Sequence, residues 1–181
     1  MKNLAPGFLI AMPQLGDPNF HRTVVLMIEH NDEGSMGLVI NRASGLTLSQ
    51  LGKGQKLKVA EGLAHNAVFV GGPVEPYRGF VLHDAQDVEE KIELTPGLYL
   101  SMTSDALVGL LQKPDVRLRF CLGYAGWGPK QIEQELAQGA WLFTEATAAP
   151  ALDGDPKQIW ADTLKGMGVD PAMLITSGGI Q

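Results

Sequence analysis

The chain has 181 residues and a mass of 19.4 kDa, enough for one domain with a real core and short for two. Hydrophobic residues make up 45% and charged residues 19%, so the chain can bury a core and bulk disorder is excluded. The balance of 14 basic and 20 acidic residues leaves a net charge of −6, which argues against a strongly basic nucleic-acid binder.

Phe8 to Met12 is an apolar run that reads as a first buried strand. Pro6, Gly7 and Pro13 break the region too often for a signal peptide, and no small-residue cleavage site follows. Arg22 to Glu29 and Met36 to Asn41 read as two strands of a hairpin, with turn residues from His30 to Ser35 between them. Thr47 is placed to cap a short helix that Gly52-Lys53-Gly54 would stop. Ala67 to Val70, Phe80 to His83 and Leu98 to Met102 are further extended runs, and Asp84 to Glu93 reads as a solvated acidic loop. Thr103 or Ser104 caps a helix through about Gln112. Val116 to Leu122 alternates, with Val116, Leu118, Phe120 and Leu122 on one face and Arg117, Arg119 and Cys121 on the other. Gly123 to Gly128 then reads as a glycine-rich turn, and Pro129 opens a helix to about Ala137. Ala140 to Phe143 is a strand, Asp155-Pro156 opens a helix to about Leu164, and Pro171 to Ile175 is a last helical turn. Residues 177–181 read as a frayed tail.

Strands outnumber helices, helices gather in the second half, and the early strands lie too close together for helical crossovers. The expectation is a single α+β domain over residues 1–181 with much antiparallel pairing. Glycine stands out at 22 of 181 residues, about 12% against a usual share of roughly 7%. Cys121 is the sole cysteine, which excludes intrachain disulfides and cysteine-rich zinc sites. No run reaches the roughly 18 apolar residues of a membrane span, and a cytoplasmic location is the simplest expectation.

Candidate chemistry is sparse. Gly126-x-Gly128 before a helix start resembles the opening of a dinucleotide fingerprint, but Gln131 stands where the third glycine belongs and Pro129 removes one donor. No phosphate loop, no G-x-S-x-G elbow and no metal-spaced pair among His21, His30, His65 and His83 is present. Arg22 precedes one hairpin strand and Asn41-Arg42 ends the other, so two guanidinium groups at one end could hold a carboxylate or phosphate. Lys53, Lys56 and Lys58 lie in the only segment with any helix-turn-helix look. The hypothetical ligand residues are therefore Arg22, Asn41, Arg42, Gly71, Gly72, His83, Gly126, Trp127 and Gly128; no catalytic residue, metal or cofactor is expected.

The ordered motifs resemble the AlgH/YqgE family of bacterial proteins. They are Gly7 to Pro13, Asp17, Phe20, Arg22 to Val25, Gly37 to Arg42, Gly71-Gly72-Pro73-Val74, Leu82-His83, Gly123 to Pro129 with Gln131 and Glu135-Leu136, Gly139-Ala140-Trp141, and Trp160. Lys130 stands where the family most often carries glycine. The resemblance implies a bifurcated, mostly antiparallel sheet folded into a pseudo-barrel. It implies no reaction, because the family's biochemical function is unknown; its AlgH branch is associated with transcriptional regulation, alginate production included. The leading expectation is a non-enzymatic binding or regulatory module for an unknown protein or a small anionic ligand. One alternative is an enzyme or binder for a phosphorylated or nucleotide ligand, using the glycine-rich loop, Arg22 and Arg42, with His83 as acid or base. Another is a direct DNA-binding regulator, which the charge balance disfavours.

Overall fold

The apolar runs fold as strands of one curled sheet. The computed structural model describes residues 3–174. The first sheet strands are β1 (Gly7–Ala11), β2 (Val24–Asn31), β3 (Gly34–Val39), β4 (Ala43–Thr47) and β5 (Ala67–Val70). They are followed by β6 (Val74–His83), β7 (Ile92–Thr95), β8 (Leu98–Ser101), β9 (Leu118–Trp127) and β10 (Trp141–Glu145). The main path runs β10-β1-β2-β3-β9-β6-β8-β7, with β4 and β5 branching from it. All pairs are antiparallel except β5 with β9. Apart from α1 (Leu48–Gln55), the helices follow the eighth strand: α2 (Ser104–Leu111), α3 (Gln131–Ala137), α4 (Ala148–Asp153) and α5 (Ile159–Gly166). A last helical turn covers 171–174; Ile175 and the tail expected to fray at 177–181 lie outside the described residues. The result is an α+β half-barrel with its helices mostly in the second half.

The hairpin of β2 and β3 forms as the turn chemistry dictates, with Asn31 opposite Gly34. Thr47 caps α1 with a full capping box: its hydroxyl accepts from Gln50 N–H, and the Gln50 side chain accepts from Thr47 N–H. Thr103 caps α2 by accepting from Ala106 N–H.

Two expectations need correction. The segment 123–127 is strand rather than turn, because β9 runs ten residues and changes partners partway. One of its edges carries β6. On the other, β5 pairs with Phe120 to Leu122 and β3 with Ala125 to Trp127. That exchange is the bifurcation. Packed layers cover both faces of β9, with Cys121 in one apolar core and Leu118 and Phe120 in another, so Arg119 and Cys121 are as enclosed as Leu118 and Phe120. The second correction concerns α1, which continues through Gly52-Lys53-Gly54 to Gln55. Gly52 is a packing position there: a Cβ would lie 2.8 Å from the Leu57 carbonyl oxygen.

The chain passes from β5 to β6 across β9 at Gly71-Gly72. A Cβ on Gly71 would lie 2.3 Å from the Gly123 carbonyl oxygen, and one on Gly72 would lie 2.1 Å from the Tyr124 carbonyl carbon. Two backbones meet here with no side chain between them. Three apolar cores flank the sheet. One, inside the curl, joins Phe8, Leu26, Leu38 and Phe80 to Ile159 and Trp160 of α5. A second gathers Trp127 and Trp141 with Ile132 of α3. A third packs Leu110 and Leu111 of α2 and Leu48 of α1 against Val81 and Phe120.

Candidate functional site

The residues singled out from sequence fall into separate places. At the open end of the β2–β3 hairpin, the Asn41 side chain ties the two strand ends together: its oxygen accepts from Val24 N–H and its amide donates to the Arg22 carbonyl, both at 2.9 Å. The Arg42 guanidinium donates to the Pro18 (3.3 Å), Asn19 and His21 (3.2 Å) carbonyls, closing the short helical turn Pro18–Phe20. Arg22 lies 5.4 Å from the centre of the Trp160 ring. Both arginines therefore sit at one end of the hairpin, in contacts within the protein. Gly126 pairs with Met36 near the opposite end of β3, six residues from Arg42 and roughly 20 Å along an extended chain. Arg42 and the Gly126 loop do not share a pocket.

Gly71 and Gly72 belong to the crossing over β9. Gly128 N–H donates to the Gln131 side chain at 2.9 Å, so the entry to α3 is capped from within. Lys130, at φ 61°, occupies a left-handed position, one that glycine takes without the Cβ strain a side chain meets there. Trp127 donates its indole N–H to Glu135 at 3.3 Å; Trp141 does so at 2.9 Å, and Gln131 donates to the other carboxylate oxygen at 3.0 Å. Phe20 lies 5.9 Å from Trp127 and 5.5 Å from Trp141, centre to centre. This cluster fixes α3 to the sheet. Gly126 and Trp127 also line an open polar cleft of about 500 Å³ with Glu29 and Glu33, whose rim carries no cation.

His83 is fully buried with both ring nitrogens bonded. Nδ1 accepts from Ala85 N–H at 3.1 Å, and Nε2 meets the Ser101 hydroxyl at 2.9 Å. The Ser101 hydroxyl itself donates to the Glu90 carbonyl, so Nε2 carries the proton. Burial pulls the His83 pKa down to about 4, against an opposing pull from Asp84. Protonation would force Nδ1 to lose its acceptor role. The fold thus binds this proton only near pH 4, while the unfolded chain binds it near 6.5. Stability falls as pH drops through that window, by up to about 3 kcal/mol. Urea unfolding at pH 7.5 and 5 checks this, since the Glu90 and Asp87 carboxyls are held below their usual range and titrate lower. A slope unchanged in His83→Gln would show the loss has another source.

Other reactive groups are also enclosed. Burial pushes the Cys121 thiol up to about 12, which keeps it protonated and inert. His30 accepts from Leu4 N–H and contacts Glu133 at 2.7 Å. Among the described residues, no three His, Cys, Asp or Glu side chains are grouped to hold a metal ion.

An open, largely apolar cleft of about 440 Å³ lies between the end of β10, α4 and α5. Phe8, Pro150, Ile159 and Met167 line it, and Glu145, Asp153, Asp155 and Asp162 add carboxylates with no Lys or Arg. Asp153 pairs with Arg117, which also binds Asp84 at 2.9 Å; Asp155 accepts from Lys157 N–H at 2.9 Å. Glu145 and Asp162 form no ion pair among the described residues. Buried Arg119 holds the wall. It donates to Ile40 O (2.7 Å), Pro150 O (3.3 Å) and Gly154 O (2.7 Å), with its guanidinium 4.3 Å from the Phe69 ring centre. Burial lowers its pKa from the usual arginine value. The Trp160 indole N–H docks α5 on β1 by donating to Ala11 O at 2.8 Å.

This cleft was not read from sequence, because it exists only once residues 144–167 fold back on themselves and against Phe8 of β1. A trace exists in the charge pattern: residues 145–162 hold four acids and a single lysine. No described helix is long and apolar enough to cross a membrane.

Residues 8–172 match the model of the family described as AlgH-like. A UPF0301 protein of Myxococcus xanthus is 62% identical over 180 residues, covering 99% of each chain. A UPF0301 protein of Shewanella oneidensis is 39% identical over 186 residues, again covering 99% of each. The solution structure of the AlgH protein from Pseudomonas aeruginosa superposes with a TM-score of 0.75 at 37% identity, covering 96% of this chain and 94% of that one. A crystal structure of a Corynebacterium diphtheriae protein, at 23% identity and TM-score 0.73, shares the fold over 92% of this chain and 88% of that one.

Proposed function

The chain belongs to the AlgH-like family, and from that premise we propose that it is a non-catalytic binding module that seats a basic, partly apolar segment of a partner protein. The observation that carries this reading is the cleft between α4 and α5. Its volume and apolar lining suit a buried guest. Its carboxylates favour lysine or arginine at the rim and disfavour a phosphate backbone. Any effect on transcription then passes through a protein rather than through direct contact with DNA. The acid-lined cleft also supports a protein guest over an anionic one at this place.

A short leucine–lysine peptide and its leucine–glutamate counterpart are suitable probes. The lysine peptide is expected to shift the methyl resonances of Ile159 and Met167, and Asp162→Lys is expected to abolish that shift. Equal responses to both peptides, or resonance changes confined to another face, would defeat the reading.

A further inference from the structure

A second cleft, formed where α1 ends, has the opposite charge. Lys56 is held left-handed at φ 58°, and its N–H and that of Leu57 both donate to the Gly52 carbonyl. The chain therefore doubles back over the last helical turn. This reversal gathers Lys53 of the helix, Lys56 of the cap and Lys58 of the returning segment around one cleft of about 370 Å³. Leu57 and Val59 supply an apolar wall, Ser49 adds a hydroxyl, and no acidic residue lines the space. All three lysines are exposed, and none forms an ion pair among the described residues.

A lysine in the last turn of a helix is explained by the negative end of the macrodipole. Three are not, since like charges around one cleft repel. In a chain of net charge −6, they make a local positive field that attracts an anion. A group carrying several negative charges in a small volume answers all three ammoniums at once, as lysine does with phosphates. We propose that this cleft binds the oligophosphate of a small molecule, such as a nucleoside di- or triphosphate, with its non-ionic part against Leu57 and Val59. This site is separate from the acid-lined cleft, and the two readings stand or fall independently.

Calorimetric titration of the whole chain with pyrophosphate, ATP and adenosine at low salt tests it. Pyrophosphate and ATP are expected to bind and adenosine not, with affinity falling as salt rises. Replacing Lys53, Lys56 and Lys58 together by glutamine is expected to weaken binding about tenfold or more. Lys58→Glu, a single substitution that reverses one charge, is expected to weaken binding as well, and Lys157→Gln serves as a control that leaves binding unchanged. No binding at low salt, or unchanged affinity in the folded triple variant, would overturn the proposal. An oligo-glutamate of equal charge binding as tightly as pyrophosphate would overturn the assignment to phosphate.

Discussion

Gly72→Ala is expected to cost the protein its native fold. The new Cβ would lie 2.1 Å from a backbone carbon of Tyr124, and Gly72 sits at φ 155°, where side chains are strained. Neither strand can move aside. Gly71 N–H donates to Leu122 O at 2.8 Å, Gly71 O accepts from Val39 N–H at 2.8 Å, and β9 is paired along both edges. The loss is expected to exceed about 4 kcal/mol. For a chain of this size that lowers the melting temperature by about 10 °C or more. A calorimetric scan would refute the crossing's importance if Gly72→Ala melted within a degree or two of the parent. Gly126→Ala makes a useful contrast, since its nearest contact would be an ordinary 3.8 Å from the Tyr124 ring.

Arg119→Met should destabilise by about 3 kcal/mol, because one buried and two part-buried carbonyls lose their charged donor together. Methionine fills much of the volume, so the missing hydrogen bonds dominate. The second consequence is at a distance. Pro150 O and Gly154 O belong to α4 and its cap, which form one wall of the acid-lined cleft. The lysine probe peptide should bind more weakly to Arg119→Met although no cleft carboxylate has changed. Chemical unfolding gives the first effect and peptide titration the second. Loss of stability with intact peptide affinity would separate Arg119 from the cleft.

The fold was legible where local chemistry decides it. Turn residues between two apolar runs fix the β2–β3 hairpin, and Thr47 and Thr103 mark helix starts because only their side chains can satisfy the first free N–H groups. The long strand β9 was not legible past Leu122, because glycines read as a turn when their partners are unknown. Gly123 needs its freedom for a positive φ of 78° beside Gly72, and the strand then resumes against β3. Arg119 alternates with apolar residues like a surface position; α4, a run of small residues around Pro150, encloses it together with Ile40 and Phe69, which lie far away in sequence. The resemblance of motifs carried the curled sheet further than periodicity could. The site was the least legible part. Conspicuous polar residues, His83 and Arg42 among them, are taken up by internal bonds, whereas the clefts arise from unremarkable residues brought together by tertiary packing. Lys53, Lys56 and Lys58 were visible as a cluster, but their shared cleft depends on the reversal at Lys56.

The ladder between β1 and β10 joins Gly7 to Glu145 and Ala11 to Trp141. On a ribosome adding about 5 to 20 residues per second, that pairing waits roughly 7 to 30 s after the first strand is made. During synthesis one edge of Phe8-Leu9-Ile10 has no native partner. The same holds for Trp160, whose bond to Ala11 spans 149 positions. An apolar strand made early is thus closed by segments made much later, and during synthesis the unpaired edge of Phe8-Leu9-Ile10 is open to pairing with another chain.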